Sequence, residues 1–222
     1  MAVKLHSADA SASARSSESR LGRLTGGGTT GNEILTAASG AMLLVLLAAL
    51  GVTILRVRPL LSEHMFIGLL LIPPVMLKMA TTGYRFARYY AGNPSYRRKG
   101  PPMTALRLLA PVVIASTVAV FATGVVLLLE GPSSRSTWLT PHKAAFIIWI
   151  AVTGLHVLAH LPEMPRLLRA DYKRPATGRD VNGRAGRAIS LAGALTLGVV
   201  LAIVLIPQYS GWLNAVSLFS DH

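Results

Sequence analysis

"HKAAFIIWIAVTGLHVLAH", residues 142–160, is apolar for almost its whole length yet holds three imidazoles, His142, His156 and His160. As a helix it would be about 28 Å long at 1.5 Å per residue, close to the roughly 30 Å of hydrocarbon in a bilayer. A helix also satisfies its own backbone hydrogen bonds where no water is present. The stretch therefore reads as a membrane span. Ionisable side chains inside such a span are costly and mark function.

Four more apolar runs, at 34–57, 61–83, 105–130 and 187–208, join this one, whose full extent is 141–162. The composition agrees, with 222 residues that are 52% hydrophobic and only 14% charged, at a mean hydropathy of +0.50. Soluble domains carry more charge, because their surfaces must meet water. The fold class expected is an all-α membrane protein with five transmembrane helices. Pro73 and Pro74 should kink the second, since proline removes a backbone donor and crowds the preceding turn.

Residues 1–33 are rich in Ser, Ala and Gly without apolar periodicity and read as a disordered cytoplasmic tail. This polar lead is too long for a signal peptide. Residues 166–186 form a basic cytoplasmic loop, and 187–222 the fifth span with a short extracellular tail. There is no cysteine, which excludes disulfides, thiolate metal sites, iron–sulfur clusters and haem attached through Cys-x-x-Cys-His.

The net charge of +13 is not spread as a nucleic-acid surface would be. Lys and Arg gather in the N-terminal tail, in the loop from Arg85 to Arg107 and in the loop from Arg166 to Arg187. Opposite them stand Arg56, Arg58, Arg135 and Lys143. The positive-inside rule then places the N-terminus in the cytoplasm and the C-terminus outside, in a bacterial plasma membrane. Membrane lipid is the expected surroundings, and nucleic acid is not an expected partner.

The histidines form a constellation across two spans. His64 follows a short outer connection on the second span, as His142 does on the fourth, and both spans run from outside to inside. Two imidazoles at one depth are what six-coordinate haem b requires, one on each face of the iron. Gly51, Gly68 and Gly124 fall near that level and would give the porphyrin clearance, while Arg56 and Arg58 could pair with its propionates. The expected core is an up-and-down four-helix haem-binding bundle over 34–165, with the fifth helix packed outside it.

His142 and His156 are fourteen residues apart, and fourteen below His64 stands Lys78. Such a spacing separates two levels by about 21 Å. A protonated lysine has no lone pair for iron. Lys78, His156 and His160 therefore remain open as a second haem site, a quinone site or plain bundle contacts.

The fourteen-residue spacing on two parallel helices resembles the cytochrome b subunit of quinol-oxidising complexes, from which Lys78 departs. A closer resemblance is to small integral-membrane b-type cytochromes of actinobacteria. It is carried by "HMFIGLLLIPPVMLKMATTGYRFARYY" at 64–90, "YRRKGPPMTALRLLAPVV" at 96–113 and "HKAAFIIWIAVTGLHVLAHLPE" at 142–163. That resemblance implies haem b and an electron-transfer subunit rather than a stand-alone catalyst. It also implies a partner such as an extracellular molybdopterin oxidoreductase. Two readings compete: a haem-free membrane scaffold or small transporter, and a metal-dependent membrane enzyme. Carboxylates are missing from the span centres, which weighs against a carboxylate-dependent transporter. Glu63 and Glu163 lie at opposite faces and cannot complete one metal site.

Overall fold

The computed structural model describes residues 28–98, 104–162 and 183–218, together with Pro165 and Arg169. The expectations for residues 1–27, for most of the 166–186 loop and for Glu163 fall outside these residues. The elements are α1 (Gly28–Leu55), α2 (Leu61–Tyr90), the short α3 (Pro94–Arg98), α4 (Thr104–Glu130), α5 (Arg135–His160), α6 (Arg184–Val204) and α7 (Tyr209–Leu218). Among the described residues there is no strand. α1, α2, α4, α5 and α6 are each long and apolar enough to cross a membrane. The protein is an all-α, multi-pass membrane protein.

Several helices outrun the apolar runs that announce them. α1 begins at Gly28 rather than 34, α2 reaches Tyr90 rather than 83, and α5 starts at Arg135 rather than 141. Hydropathy marks the part of a helix that suits hydrocarbon. Helical hydrogen bonding continues into the polar turns beyond it, where Asn32, Glu33, Arg85 and Arg88 lie. The outward faces are apolar, with Val45 71%, Leu55 85% and Leu158 67% exposed, as side chains facing lipid should be.

α1 and α2 pack as one hairpin, α4 and α5 as another, and α6 lies along α2. The first hairpin is pinned at the end away from His64. Asn32 Nδ2 donates to the Thr81 carbonyl at 3.2 Å, and Arg85 meets Glu33 at 3.6 Å. The second is pinned mid-span, where buried Trp149 Nε1 donates to Thr117 Oγ1 at 3.1 Å.

The contact of α6 with α2 has a definite chemical origin. α2 continues as a helix through Pro73 and Pro74, both buried. Pro74 has no N–H to offer the carbonyl four residues back, which is that of Leu70. A side chain built on Gly198 of α6 would collide with this same Leu70 oxygen, and would lie 3.1 Å from its carbonyl carbon. The oxygen released by proline thus occupies the place of a side chain on α6, and only glycine accommodates it. Small residues allow membrane helices this close approach.

At the His64 end, α7 turns back over the bundle. Tyr209 and Trp212 are buried with Leu69, Leu128 and Ala202, and Leu61, Met65 and Phe66 pack against them. The Tyr209 hydroxyl donates to the Ala202 carbonyl at 3.2 Å. The tail expected after the fifth span is therefore partly helical, and Trp212 packs within this cluster. Burial raises the Tyr209 hydroxyl above its ordinary pKa.

Gly198→Ala should destabilise the protein by about 1–3 kcal/mol, the usual cost of overpacking. Gly193→Ala, on the same helix with nothing within 4 Å of the added carbon, should be neutral or mildly stabilising. Thermal unfolding of the two variants in detergent makes the comparison.

Candidate functional site

Each hairpin presents one histidine on its second helix and one threonine on its first. His64 is the fourth residue of α2, and Thr53 stands two residues before the end of α1. Thr53 Oγ1 lies 3.0 Å from His64 Nδ1, and it donates to the Leu50 carbonyl at 2.6 Å. In the second hairpin His142 is the eighth residue of α5, with Thr123 seven residues before the end of α4. Thr123 Oγ1 lies 3.1 Å from His142 Nδ1, and it donates to the Ala119 carbonyl at 2.7 Å. The two arrangements repeat one another about a turn further into the second hairpin.

His64 and His142 are within electrostatic range of each other, although they sit on helices of different hairpins. Both rings are half-buried, and Thr53 is only 4% exposed. In each ring the threonine engages Nδ1.

The three glycines divide into two kinds. At Gly51 and Gly68 nothing lies within 4 Å of where a side chain would begin. At Gly124 that point is 3.0 Å from His142 Cε1, so this glycine makes room for the imidazole itself. Arg56 and Arg58 are exposed in the turn between α1 and α2, at the same end as His64.

Lys78, His156 and His160 form a second polar level. Lys78 Nζ donates to the Thr36 carbonyl at 2.6 Å, tying α2 to α1. Lys78 is also within electrostatic range of His156. The His156 and His160 rings lie 4.7 Å apart, centre to centre. His156 Nδ1, Thr36 Oγ1 and Thr153 Oγ1 are buried without a hydrogen-bond partner.

Beyond this level the aromatic and basic stretch at the end of α2 folds onto itself. Arg88 lies 5.9 Å from the centre of the Tyr84 ring, and Tyr84 meets buried Tyr96 edge-on at 6.2 Å. Burial and then the nearby Tyr84 push the Tyr96 hydroxyl above its ordinary pKa.

Among the described residues, no group of three His, Cys, Asp or Glu side chains comes together to hold a metal ion. Sequence reasoning singled out the histidines and missed Thr53 and Thr123. A signal was present, since Thr53 follows Gly51 by two residues and Thr123 immediately precedes Gly124. No protein-family model, curated protein or solved structure matches this chain.

Lys78→Met keeps the stem and removes the donor to Thr36. It should lower the thermal unfolding midpoint by the equivalent of about 0.6–1.7 kcal/mol, the span reported for interhelical hydrogen bonds in membranes. Lys78→Arg should retain most of the loss, as measured by the same thermal scan.

Proposed function

We propose that this chain is an integral-membrane b-type cytochrome in which His64 and His142 are the axial ligands of one haem b. The observation that carries the proposal is the paired geometry: two imidazoles from separate hairpins, within electrostatic range, each held through Nδ1 by a threonine. Nε2 of each ring is then left as the nitrogen for iron, and neutral imidazole is a good ligand for it. Among the described residues no third metal-ligating side chain joins the pair, an arrangement that suits a porphyrin-held iron better than a bare metal ion. Open space at Gly51 and Gly68 fits a planar group with bulky edges.

Haem b bound there would supply a one-electron couple, and the chain's role is to hold it, orient its ligands and exclude water. Arg56 and Arg58, exposed at the same end, would be the partners for its propionates through charge-assisted bonds. The α7 cluster around Trp212 packs apolar side chains at that end and would limit water access to the group. The protein would relay single electrons between a redox partner and the quinone pool or the opposite membrane face. On the positive-inside reading the His64 end is extracellular, so the partner is an extracellular redox protein, with a molybdopterin oxidoreductase as the candidate that the sequence resemblance suggests.

The second level is better suited to a quinone than to another haem. Lys78 is drawn toward α1 by its bond to Thr36, away from the role of an iron ligand. The unpartnered His156 Nδ1, Thr36 Oγ1 and Thr153 Oγ1 supply hydrogen-bonding capacity for a ligand oxygen. Such groups are costly inside a membrane unless something satisfies them.

A reduced-minus-oxidised visible spectrum of the purified protein, with haem quantified per chain, tests the proposal. It should give a low-spin b-type signal at about one haem per chain. His64→Ala and His142→Ala should each abolish it, and an unchanged spectrum in both variants removes the assignment. Protein made with ample haem supply that carries none would favour the scaffold or transporter reading. For orientation, the cysteine-free chain allows single-cysteine labelling. A membrane-impermeant maleimide should label Ser134→Cys in intact cells and Ser95→Cys only after lysis.

A further inference from the structure

The hydrogen-bond balance at the two histidines fixes more than their position. A threonine hydroxyl has one hydrogen and two lone pairs. Thr53 Oγ1 is 2.6 Å from the Leu50 carbonyl oxygen, which can only accept, so the hydroxyl hydrogen goes there. Toward His64 Nδ1, 3.0 Å away, the same oxygen can then only accept. The ring must therefore carry its hydrogen on Nδ1, and in the neutral ring the lone pair falls on Nε2.

The same balance holds in the second hairpin. Thr123 Oγ1 donates to the Ala119 carbonyl at 2.7 Å, with the Val120 carbonyl 3.2 Å away. It accepts in turn from His142 Nδ1 at 3.1 Å. Two threonines on different helices thus impose one tautomer on two histidines.

We infer that Thr53 and Thr123 are positioning residues that hold His64 and His142 as Nδ1–H tautomers and so set the donor strength of both Nε2 atoms toward haem iron. The inference rests on the haem reading of this site and goes beyond it, since a bare bis-histidine assignment needs no particular second partner. An imidazole whose far N–H donates to an acceptor is the more basic ligand, and removing that acceptor weakens binding and shifts the electronics of the metal. A more basic ligand favours the ferric state. Losing the acceptor therefore raises the midpoint potential.

The asymmetry between the two latches sharpens the expectation. Thr53 is nearly fully buried and has a single carbonyl acceptor, whereas Thr123 is half-buried with a second carbonyl close by. Thr53, the more buried of the two and with its hydroxyl committed to one carbonyl, should therefore matter more.

The test uses the full-length protein in detergent, as Thr53→Val, Thr123→Val and the corresponding Ser and Ala variants. Haem per chain, midpoint potential and the low-temperature electron paramagnetic resonance spectrum are measured for each, with helix content checked by circular dichroism. Thr53→Val should hold haem about tenfold less tightly, at the low end of second-shell effects. Its midpoint should rise by up to a tenfold change in the ferric-to-ferrous ratio, about 59 mV for one electron. Thr123→Val should move in the same direction by less, and both Ser variants should return to wild-type values.

Valine variants with wild-type retention, potential and resonance spectrum overturn the inference and leave the haem assignment intact. Wild-type protein that binds no haem overturns both. If a valine variant aggregates, the Ala variant supplies the hydroxyl-free comparison. A Ser variant that fails to restore the wild-type values shows that packing by the threonine methyl, rather than the hydroxyl, is what matters.

Discussion

Inside hydrocarbon a polar side chain has no water to turn to, and that constraint organises this protein above the level of its helices. The backbone answers it by forming five spans. The side chains answer it by pairing across helices: Thr53 with His64, Thr123 with His142, Trp149 with Thr117 and Lys78 with the Thr36 carbonyl. Every one of these pairs joins the two members of a hairpin. Apolar packing alone gives little preference for one register over another, because lipid is as apolar as leucine. The polar pairs fix the register, and so they fix the level at which each histidine sits.

Between hairpins the rule is different. α6 meets α2 through backbone, at the carbonyl of Leu70 that Pro74 deprives of its helical donor. Gly198 is then required by the position of that oxygen rather than by any turn. Proline and glycine here act on different helices as one device, the first creating a polar atom without its usual partner and the second bringing another helix against it. The contact lies six residues below His64, so the support for that histidine comes from α6 as well as α1.

Much of this was legible in the amino-acid sequence. Five apolar runs of bilayer length predicted five spans, and the histidine pair stood out because ionisable residues are rare in such runs. The extents of the helices were less legible, because α1, α2 and α5 continue into polar turns that hydropathy does not count. α7 was missed for a related reason. Its ten residues are too few for a span, and its fold-back depends on Tyr209 and Trp212 finding Leu69 and Leu128, two contacts distant in sequence. The threonines were hidden because a threonine in a membrane helix is ordinary. Only the pairing of Thr53 with His64 eleven residues later, and of Thr123 with His142 nineteen later, gives them meaning.

The unequal separations carry a last point. A repeat read along the chain would look for one fixed interval, and eleven against nineteen hides the correspondence. Antiparallel helices remove that difficulty, since adding residues to both arms of a hairpin moves its turn outward and leaves the paired level alone. The α4–α5 hairpin has its threonine five residues further from the helix end than the first, and its histidine four residues further in, so it projects about one turn beyond. The 3₁₀ turn at Pro132–Ser134 that closes it lies beside Gly211 of α7. The longer hairpin therefore does two things at once: it keeps His142 within reach of His64, and it raises a ledge for the C-terminal helix to rest on. That arrangement makes the covering of the histidine end a consequence of the same hydrogen-bonded register that sets the histidines themselves.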